Sequence, residues 1–184
     1  MKEIETRIID IDVDKTIKKL IDLGAFKVKQ ENQINNLYDF QDRRLLNAKG
    51  YARIRIIEDT IHNCKHYYMT TKKLLSQDLY KIMDENEIEI DNPDAGDAIF
   101  KALGLELVQS ISKYRESYKY KDTLIEIDIN DKNFCPFPYI EIESSDEEDL
   151  KEVVQLLGYT MDATTSKTIF EILSDYKSKQ LERY

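Results

Sequence analysis

The sequence predicts an α+β fold: about eight mostly antiparallel strands curling into a closed or nearly closed barrel, a tunnel, with helices packed on its outside. Three observations carry this expectation. Short segments alternate apolar and polar residues with the period of two that a strand requires, beginning with Glu3-Ile4-Glu5-Thr6-Arg7. Three of these segments hold Glu-Ile-Glu and lead through a turn into an amphipathic helix that closes on Leu-Gly. The charges on the polar strand faces are sorted by sign.

Taken in order, Glu3-Ile4-Glu5 is followed by a helix through Ile17, Leu20 and Ile21 to Leu23-Gly24. Strands are expected at 34–40, 50–57 and 66–73, where β-branched and aromatic residues lie between polar turns. Glu87-Ile88-Glu89 makes the next strand, with Pro93-Asp94 as a helix start and Ile99, Phe100 and Leu103 running to Gly104. Strands at 112–120 and 123–129 precede Glu141-Ile142-Glu143. Ser145 with Glu148 reads as a capping box for a helix through Leu150, Val153, Val154 and Leu157 to Gly158. A last helix is expected over about 165–182, with Ile169, Ile172, Leu173 and Tyr176 on one side. Glycine closes each of the first three helices, where a left-handed residue is favoured.

With no linker or low-complexity stretch, the 184 residues read as one domain spanning 1–184. A net charge of -9 argues against a nucleic-acid partner. No apolar run approaches a bilayer span and no export signal opens the chain, so a soluble, cytoplasmic protein is expected. Cys64 and Cys135 are only two, with no His or Cys at metal-ligand spacing, so neither a disulfide framework nor a zinc site is expected. His62 and His66 lie near Cys64 in a turn and the strand after it, where metal binding is an alternative but exposed polar residues are the preferred reading.

Residues i and i+2 of a strand share a face. Glu3 with Glu5, Glu87 with Glu89, Glu126 with Asp128 and Glu141 with Glu143 are therefore acidic pairs, and Arg53 with Arg55 and Lys113 with Arg115 are basic pairs. Arg7 and Lys72 add single cations. A face meant only for water usually mixes signs, because like charges repel and opposite ones help slightly. Sorting on this scale implies that the polar faces look into one shared space while the apolar faces point outward beneath helices. So much enclosed charge is costly unless metal and ligand neutralise it. Carboxylates without His or Cys beside them favour Mg2+ or Mn2+, and Arg and Lys clusters suit a polyphosphate.

The ordered set Glu3-x-Glu5-x-Arg7, Arg53-x-Arg55, Thr70-x-Lys72, Lys113-x-Arg115 and Glu141-x-Glu143 resembles the CYTH superfamily, the triphosphate tunnel metalloenzymes. Gln33 through Tyr38-Asp39 and Lys167-Thr168-Ile169-Phe170-Glu171 are similar to further family segments, so the likeness covers nearly the whole chain. It implies an eight-stranded antiparallel tunnel that binds a triphosphate, ATP or similar, with one or two divalent ions. Members include class IV adenylate cyclases, thiamine triphosphatases and inorganic triphosphatases. Carried over by position, Glu3, Glu5, Glu141 and Glu143 are expected metal ligands or their supports, with Glu126 and Asp128 beside them. Arg53, Arg55, Lys72, Lys113 and Arg115 are expected to cradle phosphates, with Lys167 as an addition. Glu87, Glu89 and Tyr38 are candidates for support.

Two departures from the family pattern bear on the reaction. Arg7 stands where the family has a lysine, at the position that implies a catalytic role, and an arginine that never gives up its proton is a poor base for activating water. The His-Phe-x-Gly stretch that precedes the first motif in characterised cyclases is replaced by Met1-Lys2 alone. The leading expectation is a class IV adenylate cyclase-like enzyme forming cyclic AMP and pyrophosphate. A triphosphatase and a non-catalytic nucleotide-binding module are the alternatives, and a homodimer is allowed for.

Overall fold

A computed structural model describes the backbone of residues 2–181 and the side chains of residues 4–178. Eight strands, β1 (Lys2–Ile9), β2 (Phe26–Asp39), β3 (Tyr51–Asp59), β4 (Cys64–Gln77), β5 (Lys81–Ile90), β6 (Glu106–Tyr120), β7 (Thr123–Asn130) and β8 (Tyr139–Ser144), form the sheet. They close into a barrel in the order β1-β5-β4-β3-β2-β6-β7-β8, each pair antiparallel. The helices are α1 (Val13–Asp22), α2 (Arg44–Asn47), α3 (Pro93–Ala102), α4 (Glu147–Leu156) and α5 (Ile169–Leu181).

Hydrophobic side chains point out of the barrel and are roofed by helices. Ile8, Ile125, Ile127, Ile140 and Ile142, each 2% exposed or less, pack beneath Leu20 of α1 and Leu150, Val153 and Val154 of α4. Each such burial is worth about 1.5–3 kcal/mol, which is the force that pins these helices to the sheet. Ala52, Ile54 and Tyr38 pack under Phe100 of α3. At one end of the barrel, Ile172 and Leu173 of α5 meet Cys135 and Phe137 of the β7–β8 connection.

The helix ends follow local chemistry. Asp12 and Asn92 cap α1 and α3, and Pro93 opens α3, where its missing N–H costs nothing. Gly24 takes a positive φ of 83° just past its helix, and Gly104 and Gly158 are also left-handed, at 87° and 83°. For α4 the cap is Asp146, whose side chain accepts from the amides of Glu148 and Asp149, and not Ser145 as expected.

Several strands outrun their expected limits. β2 begins at Phe26 rather than 34 because Lys27 to Gln33 carry little hydrophobic signal, and it is pairing with β6 that extends them. The short α2 has no periodic signature; the Asp39 carboxylate draws it together by accepting from the amides of Phe40, Leu45 and Leu46. α5 starts at Ile169 rather than about 165, because Thr165 forms a bridge to Arg7 of β1, and the expected end at 182 lies outside the described residues.

Candidate active site: a charged tunnel

Alternation places one side of every strand inside the barrel. Glu5 and Arg7 of β1, Tyr51, Arg53 and Arg55 of β3, and Lys72 of β4 line a single cavity of about 890 Å³. Lys81, Glu85 and Glu87 of β5, Lys113 and Arg115 of β6, Glu126 of β7 and Glu141 and Glu143 of β8 complete its wall. The side chain of Glu3 lies outside the described residues.

Strands β6, β7, β8 and β1 form one wall, in which opposite charges are bonded to each other. Arg115 donates from Nε and Nη2 to the two oxygens of Asp128, at 2.6 and 2.7 Å, and from Nη2 to Glu141 Oε2 at 2.8 Å. Its Nη1 pairs with Glu126. Arg7 donates from Nε to Glu141 Oε1 at 2.7 Å and from Nη1 to the Lys167 carbonyl at 2.9 Å, while Nη2 pairs with Glu5 at 2.7 Å. Lys113 Nζ donates to Asp128 at 2.7 Å, and Lys81, which sits opposite Glu5 in the register, pairs with that carboxylate.

These partners set the protonation states. Burial opposes the charge of Glu141, but Arg7 and Arg115 outweigh it and hold the carboxyl well below its ordinary range. Burial likewise opposes the charges of Arg7 and Arg115, yet the carboxylates around them raise both above the ordinary arginine value. Arg7 is therefore a permanent cation. Lys113 and Lys81 go the other way: burial lowers both, reinforced by Arg115 for the first and Arg7 for the second.

The opposite wall, on β3, β4 and β5, is less satisfied. Arg55 Nη2 donates to Glu87 at 2.8 Å, and Arg53 Nη2 reaches Thr70 Oγ1 at 3.3 Å and Glu87 at 3.4 Å. The Nε atoms of Arg53 and Arg55 are buried without a partner, a costly condition for a charged donor unless a ligand accepts from them. Lys72 pairs with Glu85 at 2.6 Å.

Glu126, Glu141 and Glu143 each offer a carboxylate oxygen within 4.8 Å of the others. Burial, then the nearby Glu126, Glu141 and Glu5, push the Glu143 carboxyl well above its ordinary range. Three crowded carboxylates, one of them forced toward its neutral form, are a place where a cation would relieve repulsion, and an oxygen-only donor set suits Mg2+ or Mn2+. The residues present fit that ion.

Comparison with known proteins agrees with this architecture. The CYTH domain family model matches residues 1–169. This chain belongs to the CYTH family. A Methanocaldococcus jannaschii protein provisionally named an adenylate cyclase is 27% identical over 181 residues, covering 94% of this chain and 98% of that protein. In fold, the CYTH barrel matches the PH1012 protein of Pyrococcus horikoshii with a TM-score of 0.75 at 23% identity, over 92% of this chain and 98% of the other. HpAC1 of Hippeastrum, described as a provisional adenylyl cyclase with a dominant triphosphatase activity, matches with a TM-score of 0.68 at 16% identity, over 95% of each chain. CYTH proteins bind triphosphates, generally with divalent metals, and act as adenylate cyclase-like enzymes or triphosphatases.

Within this CYTH tunnel, Glu5, Arg7, Arg53, Arg55, Lys72, Glu87, Lys113, Arg115, Glu126, Glu141 and Glu143 share the cavity, and buried Asp128 braces Lys113 and Arg115 from behind. Three residues expected there lie elsewhere. Tyr38 points outward into the α3 interface, its ring 5.1 Å from that of Phe100 and its hydroxyl donating to Asp97 at 2.8 Å. Lys167 is exposed and reaches Asp175 at 2.5 Å, so only its backbone carbonyl touches the site, through Arg7. Glu89 lies outside the cavity wall and holds His66 at 2.7 Å. Lys81, Glu85 and Tyr51 were missed as tunnel residues, although each shares parity with one that was named: Lys81 and Glu85 with Glu87, and Tyr51 with Arg53.

α5 closes one end of the cavity, with Ile169, Phe170 and Ser174 on the lining. Its Glu171 is the anchor, pairing with Lys49 at 2.7 Å and accepting from Gln77 at 2.9 Å and from the Thr168 amide at 2.8 Å. Burial opposes this carboxylate's charge, but the bonds from Lys49, Gln77 and Thr168 bring its pKa down to about 2. No helix among the described residues is long and apolar enough to cross a membrane.

Proposed function

We propose that the tunnel binds ATP and converts it to cyclic AMP and pyrophosphate. The observation that supports this reading most is the pairing of two unlike walls across one cavity, with unpartnered arginine donors facing a cluster of carboxylates. Arg53, Arg55 and Lys72 bind the phosphate oxygens, each guanidinium fork donating to two oxygens at once. Glu126, Glu141 and Glu143, with Glu5 beside them, hold the divalent ion, which when bound supplies charge neutralisation at the phosphoryl oxygens. The ribose hydroxyl attacks the α-phosphorus as the bond from that phosphorus to the oxygen bridging the β-phosphate breaks, and pyrophosphate leaves along the basic wall with the hydroxyl's proton passed to it through water. Arg7 serves as a fixed cation and as a brace for Glu141, and takes up no proton. Catalysis on this reading is chiefly position and preorganised charge. The cyclase name carried by the Methanocaldococcus relative supports the choice of reaction.

One feature favours a second reading, a triphosphatase in which water attacks the terminal phosphorus. Lys81 is an interior amine beside Glu5 whose pKa burial and Arg7 lower, so it is better placed than Arg7 to accept a proton. Incubation of the purified protein with ATP and Mn2+, with products identified, separates the readings. Cyclic AMP with equimolar pyrophosphate supports cyclisation. Orthophosphate without cyclic nucleotide moves the assignment to hydrolysis, and tight binding without product leaves a nucleotide-binding module. An Arg7→Lys variant that gains hydrolysis would identify position 7 as the site where a base is missing.

A further inference from the structure

The β3–β4 hairpin brings together both histidines of the chain and one of its two cysteines. Asp59 and Cys64 are the last cross-strand pair of that ladder, and His66 follows Cys64 by two residues, on the same face. By parity this is the face that carries Arg55 further down β3, so the cluster sits on the tunnel side of the hairpin, outside the cavity lining.

The donor atoms of Asp59, Cys64 and His66 all lie within 4.8 Å of one another. Cys64 Sγ is 3.2 Å from His66 Nε2. Bond lengths of about 2.3 Å to sulfur and 2.0–2.1 Å to nitrogen around a tetrahedral Zn2+ put those two donors about 3.5 Å apart, close to this spacing. The other ring nitrogen of His66 faces Glu89 Oε1 at 2.7 Å. A carboxylate can only accept, so Nδ1 carries a proton, and in the tautomer that can bind a metal the lone pair is on Nε2, facing the sulfur. This carboxylate-to-imidazole support is the arrangement that orients histidine ligands at metal centres. Asp59 is fixed as well, because its Oδ1 accepts from the amides of Ile61 and His62 at 2.8 and 3.0 Å, and its Oδ2 accepts from His62 Nδ1 at 2.7 Å.

We infer that Asp59, Cys64 and His66 form a second metal site, for a borderline divalent ion of the Zn2+ type, with Glu89 as its positioning residue. A thiolate and an imidazole select against Mg2+, while the oxygen-only tunnel cluster selects for it, so the two sites sort ions by donor chemistry. The ion would clip the two strands together at the turn end of the hairpin. His66 stacks on Tyr68 with centroids 6.3 Å apart, and Arg55 lies 5.6 Å from the Tyr68 ring centre, so the clip borders an arginine of the phosphate-facing wall.

The test is a titration of the full-length protein with Co2+, Mg2+ being held in excess to occupy the tunnel carboxylates. The expected result is one Co2+ per chain with sulfur-to-cobalt charge-transfer absorption, displaced by Zn2+. Cys135 does not confuse this signal, since it is buried with its Sγ donating to the Phe137 carbonyl. Cys64→Ser should abolish the absorption and His66→Gln should weaken Zn2+ binding at least tenfold. Glu89→Gln should weaken it by about 10- to 100-fold, the usual cost of losing an orienting partner. Co2+ bound without the sulfur band, or a Cys64→Ser protein with unchanged stoichiometry and affinity, overturns the assignment. The outcome is independent of whether ATP is cyclised or hydrolysed.

Discussion

On the side of the tunnel built from β6, β7, β8 and β1, Arg7 and Arg115 are held by buried carboxylates and a carbonyl, whereas on the β3–β4 side Arg53 and Arg55 each keep a buried Nε with no partner. The residue type is the same and the enclosure similar. The difference is in what completes each guanidinium. On the first wall the chain completes it, so those arginines hold the barrel's interior together and orient the acidic cluster. On the second, the chain leaves a donor of each guanidinium open, and in the proposed function it is these arginines that receive the phosphates. Charge inside a barrel thus serves as structure or as recognition according to its partners.

The most severe way to break this contrast is at Glu141, on which both Arg7 and Arg115 lean. Glu141→Gln strands part of two buried cations and should cost about 3–5 kcal/mol of stability, the usual loss when one partner of a buried pair is removed. Chemical denaturation measures it, and a loss below about 1 kcal/mol would mean that the first wall is not structural. Arg55→Met acts on the second wall and should weaken triphosphate binding by about 10- to 150-fold, since a charged hydrogen bond contributes about 1.5–3 kcal/mol. Its melting temperature should hold or rise, because the burial of the Arg55 charge and its repulsion from Arg53 are both relieved, offsetting the lost bond to Glu87. Calorimetry and a thermal melt on the same sample decide whether the two walls differ as described.

Titration sharpens the contrast. Glu141 and Asp128 have lowered pKa values: burial opposes their charge, and Arg7 and Arg115 for the first, Arg115 and Lys113 for the second, outweigh it. The native state binds fewer protons than the unfolded chain, so this stability is present above the ordinary carboxylate pKa and is lost as the pH falls through the lowered values. Glu143 is raised and acts oppositely, costing stability as the pH rises from the ordinary carboxylate range through its own pKa. Urea midpoints measured against pH should therefore fall in acid, and the stabilisation by Mg2+ should grow as Glu143 ionises. A metal effect that is flat across that window would remove Glu143 from the ion's surroundings. The smallest effect is expected outside the tunnel, where Tyr38→Phe deletes the bond to Asp97 and should cost about 1 kcal/mol with triphosphate affinity unchanged.

The inward turning of charge was legible because Glu-Ile-Glu and Arg-x-Arg state their parity within three residues. Eight strands, the outward isoleucines and the helices over them follow from that one inference. Lys81 and Glu85 escaped because Asp84 and Asn86 place polar residues on the outer face, so that the alternation upstream of Glu87 disappears. Tyr38 is a different error: one residue out of step with Gln33, Asn35 and Leu37, it already had the parity of the outer face. Lys167 lies beyond the last strand, where no period says which way a side chain turns. The Asp59, Cys64 and His66 cluster depends on cross-strand register, which the length of the hairpin decides and local pattern does not reveal.

Closure of the barrel through β1 constrains how the chain comes to be folded. β1 precedes the other barrel strands in the chain, yet its neighbours are β5 and β8, so it lacks one partner until the fifth strand of the barrel is made and its second until the eighth. Such distant pairing is slow, and during synthesis it leaves two strand edges unprotected at once. Glu5 of β1, which ends up inside the tunnel, is a charge of the kind that disfavours edge-to-edge pairing with like strands while the final rung is awaited.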